Sequence, residues 1–411
     1  MDTSTTRTWL QRHAKDLAAM VIFALVTVAM TWPLVTQLGT HLPGRGDDLL
    51  VHYWNGWRTQ RLLLEGGRLY HTDLLFHPVG VSLLYANLSW MNIAMWLVLE
   101  PLLGGIAAFN AFYMLNLFLC AVGMYALMRY LTGSRKAALV AGLIHAFWPY
   151  RLFEIGHPNL VTTQWIPLFL LFLIRMIRED QRWRDATLAA VFLTLTGYAR
   201  WQLLVLAAIA GGLYALYGIW FERDRWTVEL LPPLVLVVVL SLVLMAPAAY
   251  PIIEGQLKRR HPEDLFVESI IPKQTDLLGY VVPPHNHPLD GLFKGLEYAD
   301  DWDRAWYSNA YVGYVVLILA VIGIARTRRM AWFWAGLALT SWLLAIGPAP
   351  RINKQVYAGV PLPYRLVENF LPIRVMREPR RFNMLLAIPF AVAAGYGVRA
   401  VLDRLRKAGA S

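Results

Sequence analysis

GRGDDLLVHYWNGW, residues Gly44 to Trp57, follows directly on a charge-free run and opens a long aromatic segment. It sets two acids side by side, Asp47 and Asp48, and then brings His52, Trp54 and Trp57. Adjacent carboxylates at the end of a hydrophobic span repel each other and lose hydration, so they cost stability unless something binds them. Acids are scarce in the rest of the chain, with 27 Asp plus Glu against 38 Lys plus Arg in 411 residues. The plain alternative is an acidic, solvated loop. Position and company favour a functional reading.

Working outward, the composition fixes the setting. Hydrophobic residues make up 57% of the chain and charged ones 16%, where a soluble domain carries about 25% charged. Such a chain cannot cover its own surface with polar groups. Repeated charge-free windows of about 20 residues make it a polytopic, all-α membrane protein. The net charge of +11 does not point to nucleic acid. The basic residues fall in short clusters between apolar runs, the pattern that sets topology, and form no concentrated basic face. Cys120, the sole cysteine, lies inside an apolar run, so no disulfide staples the loops.

The run Leu17–Leu38 carries no charge and follows Arg7, Arg12, His13 and Lys15. It is too long for a signal-peptide core, so it reads as an uncleaved first span with its basic side in the cytoplasm. That sends Asp47 and Asp48 outside. Asp48–Leu64 then places Leu49, His52, Tyr53, Gly56, Gln60 and Leu63 at three- and four-residue steps, with Arg58, Arg61 and Arg68 elsewhere. This suits a helix lying along the interface. Ser89–Leu103 is apolar but short and is assigned as re-entrant or interfacial, because a crossing there would invert every later loop.

Further spans are expected at 106–128, 137–150, 160–175, 186–199, 202–220, 230–251, 310–325, 331–348 and 382–400, about ten with the first. The inner loops are then short and basic or mixed, and both termini are cytoplasmic. The whole reads as one transmembrane domain, 1–411, with outer loops at 39–105, 252–309 and 349–381. Loop 252–309 carries Arg259, Arg260, His261, His285, His287 and the acids Glu297, Asp300, Asp301 and Asp303. Loops this large on one face usually cover a site.

Several polar groups on that face have the chemistry for a reaction. Asp47 or Asp48 suits a general base for an acceptor hydroxyl or a ligand for a divalent metal, Mg or Mn. Asp47, nearer the loop-to-helix junction, is the preferred base. His52 sits four residues after Asp48, where it serves either as an orienting partner or as an ordinary interfacial side chain. Arg151 and His157 fall on the turn between two spans and suit a phosphate headgroup, although His157 is equally placed to cap the helix begun by Pro158. Arg200 interrupts an otherwise uncharged stretch from 186 to 220. It either snorkels to lipid headgroups or meets an anionic substrate. Arg374, Arg377, Arg380 and Arg381 crowd the last outer loop against the positive-inside trend, which calls for an anion, with Glu378 neutralising part of the cluster. Arg377 and Arg381, four apart, are expected on one helical side, with Arg380 pointing elsewhere. Zinc is not indicated, since the chain has no HExxH and no cysteine pair.

GDDLLVHYWNGW at 46–57, HPVGVSL at 77–83, GHPNLVTTQWIPL at 156–168 and VMREPRRF at 375–382 together resemble the GT-C superfamily of polytopic membrane glycosyltransferases, on its bacterial YfhO-like and RgtA/B/C-like side. The resemblance implies inverting transfer of a hexosyl or pentosyl unit from a polyprenyl-phosphate donor at the outer face of the cytoplasmic membrane. It maps the base or metal partner onto Asp47 or Asp48. It maps lipid-phosphate binding onto Arg374, Arg377 and Arg381, with Arg151, His157 and Arg200 beside them. The expected partners are the donor, membrane lipids and an acceptor that is a glycan, lipid or protein. Two other readings compete: a transporter or flippase, which would place paired acids or broken helices at mid-membrane depth, and a non-catalytic scaffold, which would lack convergent polar groups.

Overall fold

The computed structural model describes residues 3–44, 47–86, 88–258, 273–284, 287–293, 310–327 and 329–409, with all of their side chains except those of 3–12, 47, 256 and 329. Arg259, Arg260, His261, His285 and the acids from Glu297 to Asp303 therefore lie outside the described residues.

The first half of the chain supplies α1 (Thr3–Met30), α2 (Asp47–Glu65), α3 (Trp90–Leu103), α4 (Gly105–Thr132), α5 (Arg135–Ala146) and the short α6 (Pro149–Phe153) and α7 (Pro158–Val161). There follow α8 (Trp165–Arg178), α9 (Arg182–Ala199), α10 (Trp201–Phe221), α11 (Leu231–Lys258), α12 (Tyr314–Arg326), α13 (Arg329–Ala345), α14 (Leu371–Met376) and α15 (Asn383–Ala408). Strand among the described residues is confined to two antiparallel hairpins, β1 (His71–Thr72) with β2 (Val81–Ser82) and β3 (Arg351–Ile352) with β4 (Gln355–Val356).

Among the described residues six stretches are long and apolar enough to cross a bilayer: His13–Met30, Gly105–Thr132, Pro158–Arg178, Trp201–Phe221, Val228–Gly255 and Pro379–Ala408. This is a multi-pass membrane architecture, but by length it falls short of the expected ten spans. The remaining predicted spans are helical and short. α5 has 12 residues, about 18 Å of helix against a hydrocarbon core of about 30 Å. Its limits are local: Ser134 Oγ accepts from the Ala137 amide at the start, and Pro149 opens a new helix just past its end. α3, at 14 residues, is about 21 Å long and likewise too short to span alone.

The core is built around α4, whose Tyr113, Leu117, Cys120, Ala121, Met124 and Leu127 are all buried. The start of α15 is just as enclosed, from Asn383 through Pro389 and again from Ala391 through Ala394. By contrast α11 leaves Val235, Val238, Val239, Leu242 and Val243 at least half exposed. An apolar stripe of that kind is stable only against lipid or protein. α12 and α15 meet backbone to backbone: a Cβ on Gly323 would fall 1.9 Å from the Ala393 carbonyl oxygen, and one on Gly397 would fall 2.0 Å from that of Leu319.

α2 has one buried and one exposed side. Leu49, His52, Asn55 and Gly56 turn inward, and a Cβ on Gly56 would meet the Trp96 ring of α3 at 3.1 Å. Leu50, Val51, Leu63 and Leu64 face outward. Leu63, in the same three- and four-residue series as Leu49 and His52, is exposed. Arg58 departs in the opposite sense. It is buried, and its guanidinium donates to the carbonyls of Leu69 at 3.0 Å, Arg68 at 2.9 Å and His71 at 2.6 Å. Arg58 thus fastens the β1–β2 hairpin to α2.

Candidate functional site

At the end of the bundle where α8 and α15 begin, side chains from four distant parts of the sequence converge. Asp48, in the first turn of α2, lies with Oδ2 2.8 Å from His157 Nε2. The other ring nitrogen of His157, Nδ1, lies 2.8 Å from Glu154 Oε2. His157 thus stands between two carboxyl groups, one at each ring nitrogen. The local chain explains the placement. α6 ends at Phe153, a single 3₁₀ turn spans Glu154–Gly156, and Pro158 starts α7, which puts Glu154 and His157 three apart around one turn.

Glu154 is 1% exposed, whereas Asp48 stays 60% exposed. Burial alone would raise the Glu154 carboxyl above its usual range. The His157 hydrogen bond and the Arg380 charge outweigh burial and hold it below. Arg380 Nη2 stands 4.0 Å from Glu154 Oε1, and its Nε donates to Glu378 Oε2 at 2.7 Å. Glu378 is a hub. Its Oε1 also faces Lys273 Nζ at 3.1 Å and Arg381 Nη2 at 3.4 Å. Burial works against its charge, but Arg381, Arg380 and Lys273 together pull its pKa down to about 2.

Arg200, in the break between α9 and α10, donates through Nη1 to Asn159 Oδ1 at 2.6 Å. Burial, with the charges of Arg381 and Arg377 added, lowers its pKa to about 9 even though Glu154 and Glu378 push the other way. A guanidinium penalised in this way gains from an anion. Two buried donors beside it, Asn159 Nδ2 and Arg381 Nε, have no hydrogen-bond partner among the described residues. Arg374 and Arg377, with Tyr364, Glu368 and Asn369, line an adjoining open cavity of about 350 Å³.

Not every expected residue arrives here as expected. Arg151 is fully buried, and its guanidinium bonds inward to the His145 carbonyl and to Thr163 Oγ1. It therefore presents nothing to an outer headgroup; a buried arginine and a presented one look alike in sequence. Nor do Arg377 and Arg381 share a helical face. α14 stops at Met376, Arg377 has φ +62°, and Arg381 turns inward to donate to the Met376 carbonyl at 3.0 Å. Arg380, expected to point elsewhere, is buried inside the network. His52 is buried near Asp48 but makes no hydrogen bond to it among the described residues; His157 is the partner of that acid. Burial first, then Arg200 and His157, lower the pKa of His52 to about 4 against the pull of Asp48, so the ring is neutral near pH 7. The side chain of Asp47 lies outside the described residues. Glu154 was missed, although an acid three residues before His157 in an apolar turn is a legible signal.

Asp47 and Asp48 are alternative candidates for holding a divalent cation. Among the described residues no three His, Cys, Asp or Glu side chains converge in a way that could hold a metal ion. His157 Nε2 is directed at Asp48 itself, and the side chain of Asp47 lies outside the described residues.

A family model, DUF6541, described as a family of unknown function, matches residues 97–359, well over half of the chain. This chain belongs to the DUF6541 family. The part of the DUF6541 protein that matches carries Glu154, His157 and Arg200, while Asp48 and Arg374–Arg381 lie on either side of it. No curated protein matches. Among solved structures the DUF6541 protein resembles the archaeal oligosaccharyltransferase AglB from Archaeoglobus fulgidus, in complex with an inhibitory peptide and a dolichol-phosphate, at TM-score 0.57 and 13% identity. The match covers 98% of this chain and 52% of that one, so the DUF6541 protein spans about half the length of AglB. At this identity the likeness concerns the fold alone, a helical architecture shared with that protein over nearly the whole of this chain.

Proposed function

We propose that the chain is a glycosyltransferase that moves a sugar from a polyprenyl-phosphate-linked donor to an acceptor at the outer face of the cytoplasmic membrane, with inversion at the transferred carbon. The observation that carries this reading is the convergence of Asp48, His157–Glu154, Arg200 and the Arg374–Arg381 segment at one end of the bundle. A non-catalytic scaffold would not need such a gathering. The fold shared with an oligosaccharyltransferase solved with dolichol-phosphate supports the same substrate class. The YfhO-like and RgtA/B/C-like branch, about ten spans with the shorter helices completing the bundle, and cytoplasmic termini complete the proposal.

In this reading Asp48, or its neighbour Asp47, removes the proton from the acceptor hydroxyl. His157 positions Asp48 by occupying one carboxylate oxygen, while the exposed remainder of the group faces the acceptor. The hydroxyl oxygen attacks the anomeric carbon from the side opposite the phosphate. The bond to the phosphate oxygen breaks, and the polyprenyl phosphate leaves with the electron pair. Arg200 and Arg377, with Arg374 lining the cavity beside them, stabilise the charge developing there. A guanidinium does so through two parallel donors.

The test uses the purified, reconstituted chain and a panel of radiolabelled polyprenyl-phosphate sugars. Loss of a general base costs a factor of about 10² to 10⁴ in rate. Transfer should fall by that amount in Asp48→Asn or in Asp47→Asn, with folding unchanged because the substitutions fall in the first turn of α2, where Asp48 is 60% exposed. Near-parent transfer by both variants would remove the acids from the mechanism.

A further inference from the structure

The opposite end of the bundle, where α8 and α15 finish, holds a second basic site that the transfer reaction does not use. A pocket of about 470 Å³ opens between the ends of α12 and α15, lined by Arg326 and Thr327 on one wall and by Tyr396, Arg399, Arg404 and Lys407 among others on the second. Its origin lies in the glycine crossing. Gly323 and Gly397 bring the two backbones into direct contact. Arg326 follows Gly323 by three residues, and Ala400 and Arg404 follow Gly397 by three and seven, so charged side chains face each other just beyond the contact point.

The charge in this pocket is unbalanced. Four cations meet one carboxylate, Asp403, which is engaged by Arg399 at 3.6 Å and by Arg406, outside the pocket, at 4.0 Å. Arg326, Arg404 and Lys407 have no ion-pair partner among the described residues. The preceding turns of α12 leave Ile318, Val321 and Ile324 exposed and apolar on the side of the helix away from α15. A concave cluster of cations at the end of a helix that carries an uncovered apolar face matches a molecule with an anionic phosphate head and hydrocarbon tails. We propose that this pocket binds the phosphate headgroup of an anionic phospholipid from the leaflet at that end of the protein, with acyl chains lying along α12. A soluble phosphate compound shares the headgroup chemistry but would leave the apolar face unused.

Native mass spectrometry of the delipidated full chain tests this, with phosphatidylglycerol, phosphatidylcholine and inorganic phosphate as probes. Each Lys or Arg near an anionic lipid surface is worth about fivefold in affinity. The double variant Arg404→Gln/Lys407→Gln should therefore lose phosphatidylglycerol binding by on the order of 20-fold. Arg406→Gln removes the same kind of charge from the same helix turn outside the pocket and should change binding less than about twofold. Ala400→Phe keeps every charge and fills the pocket, so it should abolish the preference for phosphatidylglycerol even if the double variant fails to fold. Equal retention of phosphatidylglycerol and phosphatidylcholine would overturn the proposal, as would equal losses in Arg406→Gln and the double variant. Displacement of the lipid by excess inorganic phosphate would reassign the pocket to a soluble anion and overturn the lipid assignment. Measured this way, the site stands or falls independently of glycosyl transfer.

Discussion

Replacing Glu378 with Gln keeps the side-chain volume and one acceptor oxygen but removes the charge that Arg380, Arg381 and Lys273 share. The structure sets the size of the effect. The carboxyl titrates near 2 instead of the ordinary 4.5, a difference of about 2.5 decades in proton affinity, or about 3 kcal/mol favouring the ionised form in the folded state. Removing one partner of a buried ion pair typically costs about 3–5 kcal/mol, so both routes converge on a loss of about 3 kcal/mol. Because the folded pKa is depressed, this contribution is complete above pH 4.5 and is lost as pH falls toward 2. Reversible unfolding of parent and Glu378→Gln in mixed micelles, followed from pH 7 to pH 2.5, should show a constant gap above about pH 5 that closes below it. A gap under about 0.5 kcal/mol at pH 6 would refute the reasoning, since that is the size of an ordinary surface substitution. So would a gap that persists unchanged at pH 2.5.

Arg377→Gly should raise stability by about 1 kcal/mol, because φ +62° strains a residue with a Cβ, while weakening donor binding; stability unchanged or lower would contradict the strain. Gly323→Leu should cost about 3 kcal/mol or more by forcing α12 off α15, read as a lower unfolding midpoint than parent, and near-parent stability would show that the crossing is looser than described. His52, with its pKa lowered to about 4, should stabilise the docking of α2 fully above pH 6.5 and progressively less as pH falls toward 4. Amide exchange in α2 should therefore quicken over that window in the parent, after correction for the intrinsic pH dependence, and not in His52→Gln.

How much of this was legible in the chain varies by residue, and the reasons are physical. Asp48, His157 and Arg200 stood out because a charge or an imidazole in an apolar setting is expensive enough to need a partner, and each has one. Arg58 and Arg151 broke the same rule. Sequence spacing put Arg58 off the inner face of α2, yet it caps three carbonyls of a hairpin that only the fold brings near. Arg151 bonds through its terminal nitrogens to backbone and to a threonine twelve residues on, inside the bundle. The spacing of Arg377 and Arg381 suggested a shared helical face. The positive φ that ends α14 falls on an arginine, a residue that gives no warning of it. The helices themselves were readable from hydropathy, but their lengths were not, since capping by Ser134 and breaks at Gly104 and Pro149 shorten them below a bilayer's thickness.

The route taken by the chain through the network also has a consequence for biogenesis. Glu154 emerges from the ribosome more than two hundred residues before Arg380, its opposite number in the finished protein. Until that guanidinium arrives, the carboxylate, 1% exposed in the finished protein, has His157 from its own turn but not Arg380, so enclosing it is less favourable at that stage. Tight closure around α6 and α7 is thereby tied to delivery of the segment before α15.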